Sequence, residues 1–68
     1  MNRQPVTSSN IRSIGYDATT KVLEIEYTTG AVYQYTDVHP NTYQGLLRAH
    51  SKGNYVHRLV KDHPYKRI

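Results

Sequence analysis

Leu23-Glu24-Ile25-Glu26-Tyr27, then Thr28-Thr29-Gly30, then Ala31-Val32-Tyr33-Gln34-Tyr35 make two alternating runs around a three-residue break that ends in glycine. This pattern reads as an antiparallel hairpin, with Gly30 supplying the left-handed backbone that a short hairpin loop needs. A three-residue turn sets Tyr27 opposite Ala31, Ile25 opposite Tyr33 and Leu23 opposite Tyr35. Side chains alternate with period two, so all six share one face, the core face. The other face presents Glu24, Glu26, Gln34 and Thr36, with Val22 and Val32 as its only large apolar residues, and is expected to be mostly wet. Each apolar cross-strand pair adds roughly 0.2–1 kcal/mol over an alanine pair. A slip of one residue would bury both glutamates, so the register is well determined.

Upstream, Ile11, Ile14 and Tyr16 predict a first strand, which Asp17-Ala18-Thr19-Thr20 turns into the hairpin. Downstream, Pro40 suits the first turn of a helix, where its missing N–H would have no partner anyway. From Asn41 to His50, Tyr43, Leu46, Leu47 and His50 gather on one arc, with Asn41, Gln44 and Arg48 opposite. Gly45 weakens that helix. Ser51 ends it and caps the next, and Gly53 lets the chain bend between them. Tyr55, Val56, Leu59 and Val60 form the apolar arc of the second helix, with Asn54, His57, Arg58 and Lys61 outside, until Pro64 stops it. The expected fold class is α+β: a three-stranded antiparallel β-meander packed on one face by two short C-terminal helices. Residues 1–8 are expected as a flexible N-terminal arm, 9–65 as a single domain, and 66–68 as a basic tail.

The chain of 68 residues has room for one thin core, since a domain of this size buries only about 60% of the surface its unfolded chain exposes. It has no cysteine, which removes both a disulfide framework and a thiolate zinc site and is compatible with a reducing compartment. No apolar run is long enough to span a membrane or form a signal-peptide core, so a soluble cytoplasmic protein without membrane contact is expected. All seven aromatic residues are tyrosines. Each hydroxyl needs water or a partner, so the core must be shallow, with phenol tips near its margins.

Charge is segregated. Residues 1–47 hold Arg3, Arg12 and Lys21 against Asp17, Glu24, Glu26 and Asp37, a net of −1. Residues 48–68 hold Arg48, Lys52, Arg58, Lys61, Lys66 and Arg67 against Asp62 alone, a net of +5. Such a local excess attracts a polyanion even when the whole-chain charge is modest. Tyr65 lies among these cations as a stacking ring, and cations for phosphates beside a flat face for a base are what a single strand needs. The candidate nucleic-acid-binding residues are therefore Arg48, Lys52, Arg58, Lys61, Tyr65, Lys66 and Arg67. The competing reading is a basic helix end that complements its own macrodipole and is merely solvated.

Catalytic patterns are absent from the sequence. His39, His50, His57 and His63 lack the spacing of a zinc finger and fall in different elements, so no metal is expected. His50 is expected to be packed in the first helix's apolar arc, and His57 to be solvated. Glu24 and Glu26 share a wet strand face where nothing buries one of them to separate their pKa values. The serines lack a nucleophile elbow. A non-enzymatic domain without a cofactor is expected.

Ser9-Asn10-Ile11, Ile14-Gly15-Tyr16-Asp17, Leu23-x-Ile25-x-Tyr27, Gly30, Tyr33-Gln34-Tyr35, Val38, Leu46, Ala49-His50-Ser51-Lys52-Gly53 and Tyr55 together resemble the KTSC domain. That family is named for the C-terminal extension of some lysyl-tRNA synthetases and also occurs as small stand-alone bacterial and phage proteins. The resemblance spans about residues 8–65. Tyr33 and Tyr35 match its hallmark Tyr-x-Tyr, and with Ser51 and Gly53 they are the motif residues to which the resemblance gives a structural role. His39 precedes Pro40 where the family often has Val directly followed by Pro. The family has no established activity, and RNA binding has been suggested for it from the synthetase association. Two functions are thus expected in competition: binding of RNA or single-stranded nucleic acid through the C-terminal basic surface, or a protein-interaction module that docks on an acidic partner. Sequence specifies no oligomeric state.

Overall fold

The computed structural model describes residues 1–68, the side chain of Val60 excepted; the expectation that Val60 joins the second helix's apolar arc lies outside the described residues. The elements run β1 (Gln4–Pro5), β2 (Ile11–Asp17), β3 (Val22–Tyr27), β4 (Val32–Tyr35), α1 (Pro40–Arg48), α2 (Lys52–Asp62) and β5 (Tyr65–Arg67). All strands pair antiparallel with their sequence neighbours, in the order β1-β2-β3-β4-β5. The α+β class with two helices is as read from sequence, but the sheet has five strands, not three. The additional strands come from the segments expected as an arm and a tail. Gln4 pairs with Ile14 and Pro5 with Ser13, and an edge strand tolerates a proline that has no N–H to donate. At the other edge Tyr65 pairs with Tyr35 and Arg67 with Tyr33, while Ile68 N–H donates to the Val32 carbonyl at 2.9 Å.

The hairpin has the expected register. Leu23 faces Tyr35, Ile25 faces Tyr33, Tyr27 N–H donates to the Ala31 carbonyl at 2.9 Å, and Gly30 has φ +94°. Between β2 and β3 the pairing slips by one, Ile11 opposite Tyr27 but Ser13 opposite Glu26. This bulge lets Ile11 and Ile14, three residues apart, point to the same side, where both are buried. They join Leu23, Ile25, Tyr35, Val38, Leu46, Val56 and Leu59 in one core.

Both helix starts are as predicted. Pro40 opens α1, whose N-cap His39 accepts from Asn41 N–H through Nδ1 at 3.2 Å. The Ser51 hydroxyl caps α2 by accepting from Asn54 N–H at 3.3 Å. α1 stops at Arg48, however, because Ala49 leaves the helical region at ψ 138° and Ser51 must be extended to act as a cap. His50 therefore falls outside the helix and is exposed rather than packed, and Leu47 is exposed as well. Gly45 has a positive use. The Tyr55 ring lies over it, so that a Cβ there would collide with the Tyr55 hydroxyl, which donates to the Thr42 carbonyl at 2.9 Å. Gly45→Val is expected to displace that ring and cost about 1–3 kcal/mol. Thermal unfolding checks this, at roughly 4–8 °C of Tm per kcal/mol.

The sheet face away from the helices is less wet than expected. Glu24 is 5% exposed. Its carboxylate accepts from Arg3 at 2.6 Å and from the Gln34 amide at 2.9 Å. Glu26 accepts from the Ser13 hydroxyl at 2.9 Å and lies 3.6 Å from the Arg12 guanidinium. The expectation that nothing buries either carboxylate fails at Glu24, because the N-terminal segment supplies Arg3 as both cover and counter-charge. Burial of a carboxylate is tolerated where hydrogen-bonded partners of opposite charge replace water.

Candidate functional site

The C-terminal cations come from three elements and do not share one face. Arg58 and Lys61, one turn apart, are exposed on α2 on the side away from buried Val56 and Leu59. Arg48, in the last turn of α1, is exposed too. Lys52, the first residue of α2, is half-buried and lies on the other side of that helix. In β5, alternation puts Tyr65 and Arg67 on the core side, opposite Tyr35 and Tyr33, and Lys66 on the reverse side, opposite Gln34. Among the described residues the ion pairs are Arg3–Glu24 and Arg12–Glu26. Both glutamates are thus engaged by arginines of the N-terminal half, and among the described residues the six cations after residue 47 have no carboxylate partner. His57 is exposed on the same side as Arg58. No group of three or more His, Asp or Glu that could hold a metal occurs among the described residues, and no helix there is long and apolar enough to cross a membrane.

A second feature lies on the helix side of the sheet, beside the turn between β3 and β4. Tyr27, Tyr33, Tyr35 and Tyr65 line a cleft of about 460 Å³ that opens to solvent. The turn residues Thr28, Thr29 and Ala31 close one end and Asn10 another, and among the described residues none of the lining is helical. Tyr33 meets Tyr27 edge-on at 5.6 Å between centroids, and Tyr65 lies tilted at 5.7 Å from Tyr33 and 5.8 Å from Tyr35. Tyr35 is the floor, 1% exposed, and Tyr65 is a half-exposed wall. The Tyr27 and Tyr35 hydroxyls are 2.6 Å apart. Burial raises both phenols above their ordinary value; the hydrogen bond raises Tyr35 further and holds Tyr27 back, and neighbouring tyrosines raise both. Both remain neutral hydroxyls, able to donate, at physiological pH. Gly53 brings the start of α2 against Asn10, whose Nδ2 lies 3.0 Å from where a Gly53 Cβ would be. The motif residue Gly53 therefore borders the Asn10 end of the cleft, and Ser51 caps the helix that carries it.

Sequence reasoning named Tyr65 as a stacking ring of the basic tail and placed Tyr33 and Tyr35 on the face they occupy, but assigned that whole face to the core. The missed signal is one of area: Tyr27, Ala31, Tyr33 and Tyr35 extend the apolar face beyond what two short helices can cover, and all the rings there carry hydroxyls suited to a wet margin.

A family model described as the KTSC domain matches residues 7–65. Among solved structures, a crystal structure of a KTSC domain protein from Yersinia pestis superimposes with a TM-score of 0.92 at 38% identity, covering 98% of this chain and 96% of that one. A protein of Stutzerimonas stutzeri (strain A1501), described as uncharacterized, is 39% identical over 97% of this chain and 93% of its own length. A lysine–tRNA ligase of Trichormus variabilis is 38% identical over 78% of this chain, a match that spans only 9% of the ligase.

Proposed function

The chain belongs to the KTSC domain family, and on that premise we propose that it binds single-stranded nucleic acid, RNA in particular, through its C-terminal basic surface. The observation that carries this reading is the charge left unneutralised: every cation after residue 47 lacks a carboxylate partner among the described residues, while the glutamates are engaged elsewhere. Cations of this kind exchange condensed counterions of a polyanion for themselves, which is the main source of nucleic-acid affinity. RNA is favoured because relatives of this segment include proteins named lysine–tRNA ligases.

Affinity for a single strand is expected to fall with salt at a log–log slope of about −0.7 per neutralised phosphate. Arg58→Glu combined with Lys61→Glu removes two contacts and should weaken binding and flatten the slope by about 1.4. The fold should survive, because both side chains are exposed. Titration of mixed tRNA and single-stranded oligonucleotides against backbone amide signals tests the reading, and an unmoved spectrum refutes it. An acidic protein would seek the same cations, and a partner retained from nuclease-treated lysate, with no shift by nucleic acid, would assign the surface to that function instead.

A further inference from the structure

We propose that the tyrosine cleft holds one unstacked nucleobase of the bound strand, with Arg67 at its rim taking the adjoining phosphate. This rests on the nucleic-acid reading and adds to it a second, base-contacting site distinct from the outer face of α2.

Size, chemistry and charge converge on that occupant. The cleft's volume of about 460 Å³ lies within the roughly 300–1,000 Å³ of small-ligand sites. It admits a base and its sugar and is too small for a duplex, whose bases are in any case reached only when they leave the stack. Tyr65 is 51% exposed and its ring is tilted 41° against Tyr33 and Tyr35, so it is not closely stacked on either and leaves a ring face open to a planar guest. Polar groups are few and grouped at the ends: the Asn10 amide, the Thr28 and Thr29 hydroxyls, and the neutral phenols on the floor. These can hydrogen-bond base edges without selecting strongly for one base, as expected of stacking-dominated binding.

Charge separates a nucleotide from the other guests an aromatic cleft can take. An aromatic cage for a cation would profit from carboxylates, and none lines the cleft. Instead, Arg67 stands opposite Tyr33 on the same face. The Arg67 side of the cleft therefore suits a flat ring joined to an anion.

The test uses the whole chain with ¹³C-labelled tyrosine rings and three probes: a short single-stranded RNA, an abasic strand of the same length, and inorganic polyphosphate. The RNA should shift the ring signals of Tyr27, Tyr33 and Tyr65, and the abasic strand and polyphosphate should leave them in place. Tyr65→Ala should weaken RNA binding about 5- to 150-fold, the range for loss of one base–aromatic stack, without altering affinity for polyphosphate. Tyr65→Phe, which keeps the ring, should bind RNA as the parent does. Equal affinity for all three probes, with α2 amides moving and tyrosine rings unmoved, would overturn the cleft proposal and leave the basic surface standing. No response to any probe would overturn both.

Discussion

Raised from pH 9 to about pH 12, the domain is expected to unfold, because its buried phenols cannot ionise in place. Tyr35 is 1% exposed, and its hydroxyl is paired with that of Tyr27. Burial, then the hydrogen bond, then the neighbouring tyrosines raise its pKa far above the ordinary range. Tyr27 and Tyr16 are raised as well, chiefly by burial. In the unfolded chain all tyrosines lose their protons near pH 10. Below that pH both states hold the proton and the stabilisation is complete. Above it only the unfolded chain releases the proton, so stability falls by about 1.4 kcal/mol per pH unit for Tyr35 alone. Tyr27 and Tyr16 act in the same direction. A domain of this length holds only about 3–10 kcal/mol in total, so the loss is decisive within one to two pH units. Far-ultraviolet circular dichroism followed together with tyrosinate absorbance checks this. The buried phenols should ionise only as ellipticity collapses, and Tyr35→Phe should flatten the decline above pH 10. Ionisation of all seven tyrosines near pH 10 with ellipticity intact would refute it.

Leu46→Ala is expected to cost about 2–5 kcal/mol, the range for emptying a buried leucine site, and so to remove a large part of the total stability. Among the described residues of α1, Leu46 alone is buried. The helix is otherwise attached by the stack of Tyr43 on Tyr16 at 4.5 Å between centroids, held by the Tyr16 hydroxyl on the Val38 carbonyl, and by the Tyr55 hydroxyl on the Thr42 carbonyl. Truncating Leu46 therefore removes the one buried side chain by which α1 joins the core. Leu47→Ala, at a residue 39% exposed, should stay within about 0.5 kcal/mol. Urea denaturation of the two variants supplies the comparison, and equal midpoints would contradict the assigned burial.

Legibility of the fold followed the range of the interactions. The β3–β4 register could be read because Leu23 to Tyr35 alternate across a turn of three residues, and Pro40 and Ser51 mark helix starts through local backbone chemistry. What could not be read depends on partners distant in sequence. Arg3 covers Glu24 from twenty-one residues away, and β1 and β5 are two and three residues long, too short for any periodicity. His50 was misplaced for a local reason: the apolar arc runs on to His50, although the backbone has already left the helix at Ala49 to reach the extended cap at Ser51. Of the candidate site, the cations were visible as charge, but their spread over several faces follows from helix phase and strand parity. The cleft was hidden because the face a residue occupies says nothing about where the covering helices end.

The long excursion between β4 and β5 also orders the events of folding. Strands β2, β3 and β4 are joined by short turns, whereas β5 returns to β4 only after residues 36–64. Before the helices form, closing that loop costs about 2 kcal/mol more chain entropy than closing a hairpin, and β5 recovers little of it, being three residues long and exposed throughout. Strand β5 should therefore close late and reopen early, with faster amide exchange than β2, β3 and β4. Tyr65 moves with it. The wall of the cleft thus belongs to a weakly held edge of the sheet, and the barrier to admitting a guest is that of lifting one short strand.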